Sequence, residues 1–194
     1  MLSSKKVTQV INLFARLSGN KIDKLKVIKL IYFADKYHLR KYGRTITEDL
    51  YFAMELGPVQ STVKDIIDNS FCLSDGEKEY RKSYLDKNGH NVISINDVDS
   101  KQLSKSDISA ITLIWNKLGE YTKKELVDLT HENQEWKQCE DKLSSNSRVQ
   151  LDIISLFKDS NDFVSDLTKD DVENSKEIYK ERLAMEQQLN DCFS

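Results

Sequence analysis

Asp35 and His38 stand one helical turn apart at the end of an apolar run, which puts a carboxylate and an imidazole on one face. Such a pair could act as a base and its orienting partner. Nucleophilic catalysis would also need a serine or cysteine set beside them by a recognisable motif, and no such motif is present. Asp35 instead ends the stripe Ile28, Tyr32, Asp35, Leu39, so its carboxylate should be at least half buried and must find donors or a cation. A structural clamp between helix and loop is expected, with His38 and Arg44 as its partners. A metal centre would need His38, His90, His131 and the three cysteines Cys72, Cys139 and Cys192 to converge, and none stands at ligand spacing. His131 is read as satisfying groups where two helices meet, with Trp136 filling the gap beneath it. Asp128 with Glu135-Trp136-Lys137 superficially has the order in which nucleases hold a divalent ion. That chemistry needs a sheet to present the groups together, and these residues follow helical spacing. Gly57-Pro58-Val59 lacks the repeated glycines and the Lys-Ser/Thr pair of a phosphate loop. No catalytic residue, metal ligand or cofactor is expected, and the residues point to a binding protein.

The elements that must carry these residues are legible from periodicity. Residues 27–34 hold seven apolar side chains out of eight, interrupted only by Lys29, which predicts a central helix surrounded by protein. Asp23 is its expected N-cap and Gly43 its stop. Val7, Val10, Ile11, Phe14, Ala15 and Leu17 predict a first amphipathic helix over 4–18. A short strand is expected at 50–55, and Pro58 suits the first turn of a third helix running to about residue 70. Residues 71–79 read as loop. Asn88-Gly89 between Tyr84-Leu85 and the run 92–95 signals a hairpin, to which the 50–55 strand could add. Ser104 or Ser106 can cap a helix carrying Ile108, Ile111, Ile114 and Leu118, and Thr122 with Glu125 forms a capping box for the next. Residues 144–147 are a polar linker, 149–157 read as a short helix, and 170–192 contain no Gly or Pro. The fold class expected is α+β, predominantly helical, with a small antiparallel sheet. Its parts are a domain over 1–143 and a helical C-terminal extension over 144–194.

Apolar residues make up 39% and charged residues 31% of the 194-residue chain, the balance of a globular protein with a charged surface. No apolar run approaches a bilayer span, the first residues lack the features of a signal peptide, and the thiols are odd in number and widely spaced. A cytoplasmic location is expected. The net charge of −3 conceals an asymmetry. Residues 1–44 carry eleven Lys or Arg against two acids, whereas 45–140 sum to −7 and 141–194 to −5. The basic first quarter could face nucleic acid, an acidic partner, or the acidic remainder of its own chain.

The run YFADKYHLRKYG (32–43), followed by ITEDLYFAMELGPV (46–59), closely resembles the Panacea domain, the SocA-like antitoxin domain. The family pattern joins a Leu-Tyr-x-Ala-Asp helix, a His-Leu-x-x-x-Gly end and an Ala-x-x-x-Gly-Pro-Val turn. Here the matching residues are Tyr32, Asp35, His38, Gly43, Gly57, Pro58 and Val59. A second motif matches Leu126, Leu129-Thr130-His131 and Trp136, with Gln134-Glu135 where the family often has Ser-Pro. The resemblance implies a bacterial, prophage or phage protein that binds a cognate protein toxin and silences it by direct contact. One alternative it leaves open is an adaptor delivering a toxin to an AAA+ protease, or a phage-encoded interaction module without a paired toxin. A nucleic-acid-binding regulator using the basic N-terminal face is the other. Because the motif residues are expected to build the core, toxin specificity should come from elsewhere. The last helix offers a stripe of Ile178, Leu183, Met185, Leu189 and Phe193, flanked by Glu173, Glu177, Glu181 and Glu186, that either docks at home or lies against a partner.

Overall fold

The computed structural model describes residues 3–70, 72–158 and 167–192. The helices in chain order are α1 (Ser4–Leu17), α2 (Lys24–Tyr42), α3 (Ser61–Asp68), α4 (Asp75–Tyr84), α5 (Lys105–Leu118), α6 (Lys123–His131), α7 (Gln134–Lys137), α8 (Glu140–Leu143) and α9 (Lys169–Cys192). The strands are β1 (Lys21–Asp23), β2 (Tyr51–Met54), β3 (Gly57–Gln60), β4 (Leu85–Asn88), β5 (Asn91–Ser94) and β6 (Val149–Gln150). The chain is thus α+β and predominantly helical, with small antiparallel sheets.

α2 is the axis. Asp23 accepts from the N–H groups of Leu25 (2.9 Å) and Lys26 (3.3 Å), satisfying donors that the first turn leaves open. Gly43 takes the left-handed conformation (φ +66°) and returns its N–H to the Leu39 carbonyl at 2.9 Å, closing the helix. Between these caps the residues from Val27 to Leu39 are buried, Tyr37 excepted, because α1, α5, α6 and α9 pack around the helix on different sides. An apolar helix surface with that many neighbours has no face left for water.

Two three-stranded antiparallel sheets flank this core, in orders β1-β5-β4 and β3-β2-β6. The hairpin forms as expected, its two-residue loop being Gly89-His90, with Gly89 at φ +61°. The 50–55 strand does not join it. β5 already has β1 on its free edge, while β2 has β3 on one side and β6 on the other. Pro58 is likewise not in a helix. It lies in β3 opposite Ala53, at a sheet edge where a missing N–H breaks no ladder bond, and α3 starts three residues later. Residues 71–79 are not all loop: Ser74 and Glu77 form a capping box that starts α4. Nor do 149–157 form one helix. Val149 and Gln150 pair with Ala53 and Phe52, and a 3-10 turn follows over Ile153–Phe157.

Leu151, Leu156 and Phe157 are buried against α2 and its neighbours, and α9 closes over them. Val172, Ser175 and Tyr179 form its buried inner stripe, with the Tyr179 ring 5.7 Å from that of Phe157. Gly43 makes this docking possible. A Cβ there would stand 2.8 Å from both the Ile178 Cγ2 and the Ser175 carbonyl.

Candidate functional site

Asp35 is fully buried, and its carboxylate takes four hydrogen bonds, all from one segment. Oδ1 accepts from the N–H of Ile46 (2.8 Å) and of Thr47 (3.0 Å); Oδ2 accepts from the Thr47 hydroxyl (2.6 Å) and the Tyr51 hydroxyl (2.7 Å). Burial pushes its pKa up to about 6, against the pull of Thr47, Tyr51 and the backbone donors. Every partner is a donor, so the ionised form fits the site and persists at neutral pH. The arrangement is the expected helix-to-loop clamp with different partners, since neither His38 nor Arg44 supplies a bond to it. A chemically similar clamp lies nearby. Asp49 accepts from the N–H groups of Leu50, Thr62 and Val63, capping α3 from a distance in place of its own N-cap residue.

His38 turns the other way, toward α5. Its Nδ1–H donates to the Arg44 carbonyl at 2.8 Å, so Nε2 is left to accept from the Ser106 hydroxyl at 3.0 Å. Burial lowers its pKa to about 4, and the ring is neutral. The cation-binding group here is Asp107, which lies 2.9 Å from Arg44 and 3.1 Å from Lys6. Burial raises its pKa, but the Ser104 N–H and Lys6 outweigh that and hold it below the ordinary range.

The second half of the motif gathers on a neighbouring face of α2. Lys29 is fully buried, donates to the Pro58 carbonyl at 2.8 Å, and is lowered by burial to a pKa of about 7. Gly57 (φ +91°) sits directly over it. A Cβ at that position would run into Thr130 Oγ1 and come within 2.9 Å of the Lys29 ammonium. Lys36 bridges Glu135 (2.7 Å) and Asn133 (2.9 Å), and the Tyr32 hydroxyl also donates to Glu135. His131 lies on Trp136 with ring centroids 3.8 Å apart, and the Trp136 indole N–H donates to the Met54 carbonyl at 2.9 Å. Burial first, then Lys29, lowers the His131 pKa, against a hydrogen bond to the Glu55 backbone that raises it. His131 therefore meets the β2–β3 turn as well as α7, where two helices alone were expected.

Trp136 forms part of the wall of a groove of about 770 Å³. Leu25 and Ile28 of α2, Met54 at the end of β2, Leu56 of the β2–β3 turn and Leu143 of α8 line it. A smaller hollow of about 330 Å³ shares Lys24, Leu25, Ile28 and Leu56 with it and continues toward His90.

Lys29 could have been identified from sequence, because any polar residue inside an all-apolar helix is buried. Glu135, Asp49 and Asp107 carry no comparable signal. Of the last-helix residues, Leu183 is partly buried, while Ile178, Met185 and Leu189 are 52%, 62% and 59% exposed. Phe193 lies outside the described residues. Cys72 is exposed and Cys139 buried, and no three His, Cys, Asp or Glu side chains gather at metal-binding distance among the described residues. No helix among them is long and apolar enough to cross a membrane.

At least five cations of the basic first quarter pair with acids in the remainder of the chain. Lys6 and Arg44 pair with Asp107, Arg16 with Asp97, Lys24 with Asp68 at 2.6 Å, and Lys36 with Glu135. Comparison with curated proteins and with solved structures gave no match. The family model described as antitoxin SocA-like, Panacea domain matches residues 27–137. That span runs from the start of the buried part of α2 to the end of α7 and takes in the Asp35 clamp, the Gly57-Pro58 turn and the His131–Trp136 stack, so the chain belongs to the SocA-like antitoxin, Panacea domain family.

Proposed function

We propose that the chain is the antitoxin of a bacterial or prophage toxin–antitoxin pair, which binds a cognate protein toxin in the cytoplasm and silences it by contact, without catalysis. What carries this reading, beyond family membership, is where the motif residues go. Tyr32, Asp35, His38, Gly43, Gly57, Pro58, Val59, His131 and Trp136 are engaged in capping, clamping and packing within the chain itself. A domain whose shared residues build its interior leaves its surface to vary with the partner. Residues 1–143 are taken as the antitoxin domain and 144–194 as its extension. The outer face of α9 supplies the contact, with Met185 and Leu189 its most exposed apolar side chains, Ile178 beside the docked stripe, and Leu183 turned inward.

Co-expression with the product of the adjacent reading frame tests this. Growth arrest by that product, relieved by the full chain with recovery of a stable complex, supports it. An innocuous neighbour that does not bind would sink it. Relief that disappears in a host lacking its AAA+ proteases would assign the adaptor mechanism instead. Sequence-independent nucleic-acid binding with a steep salt dependence would favour the regulator, although at least five of the eleven N-terminal cations are already paired within the chain.

A further inference from the structure

The groove at the start of α2 is a surface that the motif builds and does not fill. Its floor and walls are apolar: Leu25, Ile28, Leu56, Val59, Trp136 and Leu143. Its volume of about 770 Å³ lies in the range of sites that hold a ligand. Leu56 stands 52% exposed on the ridge between the groove and its smaller continuation. An apolar side chain held up on a tight turn in this way gains nothing from its own fold.

The charges around the rim are unequal. Lys24 and Lys64 both hold Asp68, at 2.6 and 3.2 Å, and Lys87 joins them at 3.3 Å, so the basic side is drawn to one shared carboxylate. The acidic side has no counter-ion: Glu55 on the β2–β3 turn and Glu140 on α8 are exposed, and neither forms an ion pair among the described residues. We infer that this groove receives an amphipathic segment of a partner protein, with apolar anchors entering between α2, the turn and α8, and Lys or Arg beside them meeting Glu55 and Glu140. Helical segments dock in such grooves through side chains at i, i+3, i+4 and i+7. The rim carboxylates then favour basic flanks and repel acidic ones. The site lies at the opposite end of α2 from the α9 contact at Gly43. Over the 19 residues of α2 that separation is about 28 Å. The inference rests on the reading of this chain as a binding protein and supplies the partner chemistry for one of its surfaces.

The probes are two synthetic helical peptides with Leu at i, i+3, i+4 and i+7, one flanked by Lys and the other by Glu, titrated into the full chain. The reporters are the Trp136 indole signal and the Ile28 and Leu56 methyl signals in NMR spectra, with the Trp115 indole as an internal reference outside the groove. The Lys peptide is expected to move the groove signals and to bind about tenfold more tightly than the Glu peptide. Glu55→Lys with Glu140→Lys, both on exposed positions, should reverse that preference. Leu56→Ser should weaken both peptides without unfolding the chain. Equal binding of the two peptides, no movement of the groove signals, or a preference unchanged by the double reversal overturns the inference. So does a groove signal that follows protein concentration alone while sedimentation shows a dimer, because a second copy would then be the occupant. A chain that relieves toxicity but fails the peptide test loses only the groove. A chain that passes the peptide test but never relieves toxicity loses only the antitoxin reading.

Discussion

The two longest helices of the chain lie against each other and are held in opposite ways. α2, with 19 residues, is covered on almost every side, so its position is fixed by many independent contacts. α9, with 24 residues, is held along one stripe: Val172, Ser175 and Tyr179 are buried, while Met185 and Leu189 farther along face outward. Burial almost all round makes a helix indispensable and leaves it little free surface beyond its first turns. One-sided burial anchors a helix and leaves the rest of it available to a partner. The buried part of α2 lies in the family match and α9 lies beyond it, so the split in packing follows the split in sequence pattern.

The severest way to break the comparison is to end the chain at Ser147. That removes β6 from the open side of β2, and with it Leu151, Leu156, Phe157, Val172 and Tyr179 from the core. Losing even one large buried side chain costs about 2–5 kcal/mol, and a domain has only about 5–15 kcal/mol to lose. The truncated chain is expected to lose cooperative thermal unfolding. A sharp transition retained after truncation would show that the last 47 residues merely lie on a finished domain.

Asp35→Ala comes next. It strands the N–H groups of Ile46 and Thr47 and the hydroxyls of Thr47 and Tyr51 in a buried site. Urea denaturation should show a loss of about 3–5 kcal/mol, since each stranded buried group costs about 1–3 kcal/mol and some will find new partners. Ile178→Ala, on the half-exposed side of α9, should cost less than about 1 kcal/mol. Similar losses from the two would erase the distinction between the helices.

Acid sharpens the contrast within α2 itself. Unfolded, His38 gains its proton near 6.5, but folded only near 4, so its contribution to stability is lost as pH falls through that interval. Asp35 runs the other way. Its folded carboxyl protonates near 6 and its unfolded one near 3.8, so stability rises as pH falls between those values. Each effect is about 3 kcal/mol and the two nearly cancel. His38→Gln removes one of them, and its deficit against the native chain should shrink between pH 7 and pH 4.5 in paired urea titrations. A deficit independent of pH would mean that His38 is not held neutral by the fold.

Most of α1, α2, α5 and α6 was legible in the sequence because apolar period and caps agree at each. Three of the differences share one cause. Pro58, the 50–55 strand and Val149-Gln150 were judged by their neighbours along the chain, whereas their pairing is decided by which sheet edges remain free. Asp35 was recognised as buried from its place on the apolar stripe. Its partners were misassigned because the loop at 45–51 supplies backbone donors, which have no sequence signature. The Lys24–Asp68 and Lys36–Glu135 bridges have no sequence signature either, because their partners stand 44 and 99 residues apart. The groove has no sequence signature, because Leu25, Leu56 and Leu143 are ordinary apolar residues until the fold brings them together.

The smallest expected change in stability carries the most functional weight. Met185 and Leu189 are 62% and 59% exposed, so replacing both with Ser removes little buried surface. The shift in unfolding free energy should stay within about 0.5 kcal/mol per site. The same double substitution takes two apolar anchors from the outer face of α9. If that face meets the toxin, Met185→Ser with Leu189→Ser should lower affinity for it by about tenfold or more and reduce relief of growth arrest, at unchanged thermal midpoint. The pairing of the two readouts is what gives the test its force. A loss of neutralisation accompanied by a loss of stability would place these side chains in the fold's own interior packing, against their exposure. Full neutralisation at full stability would take the outer face of α9 out of toxin recognition and leave it to the surface at the other end of α2.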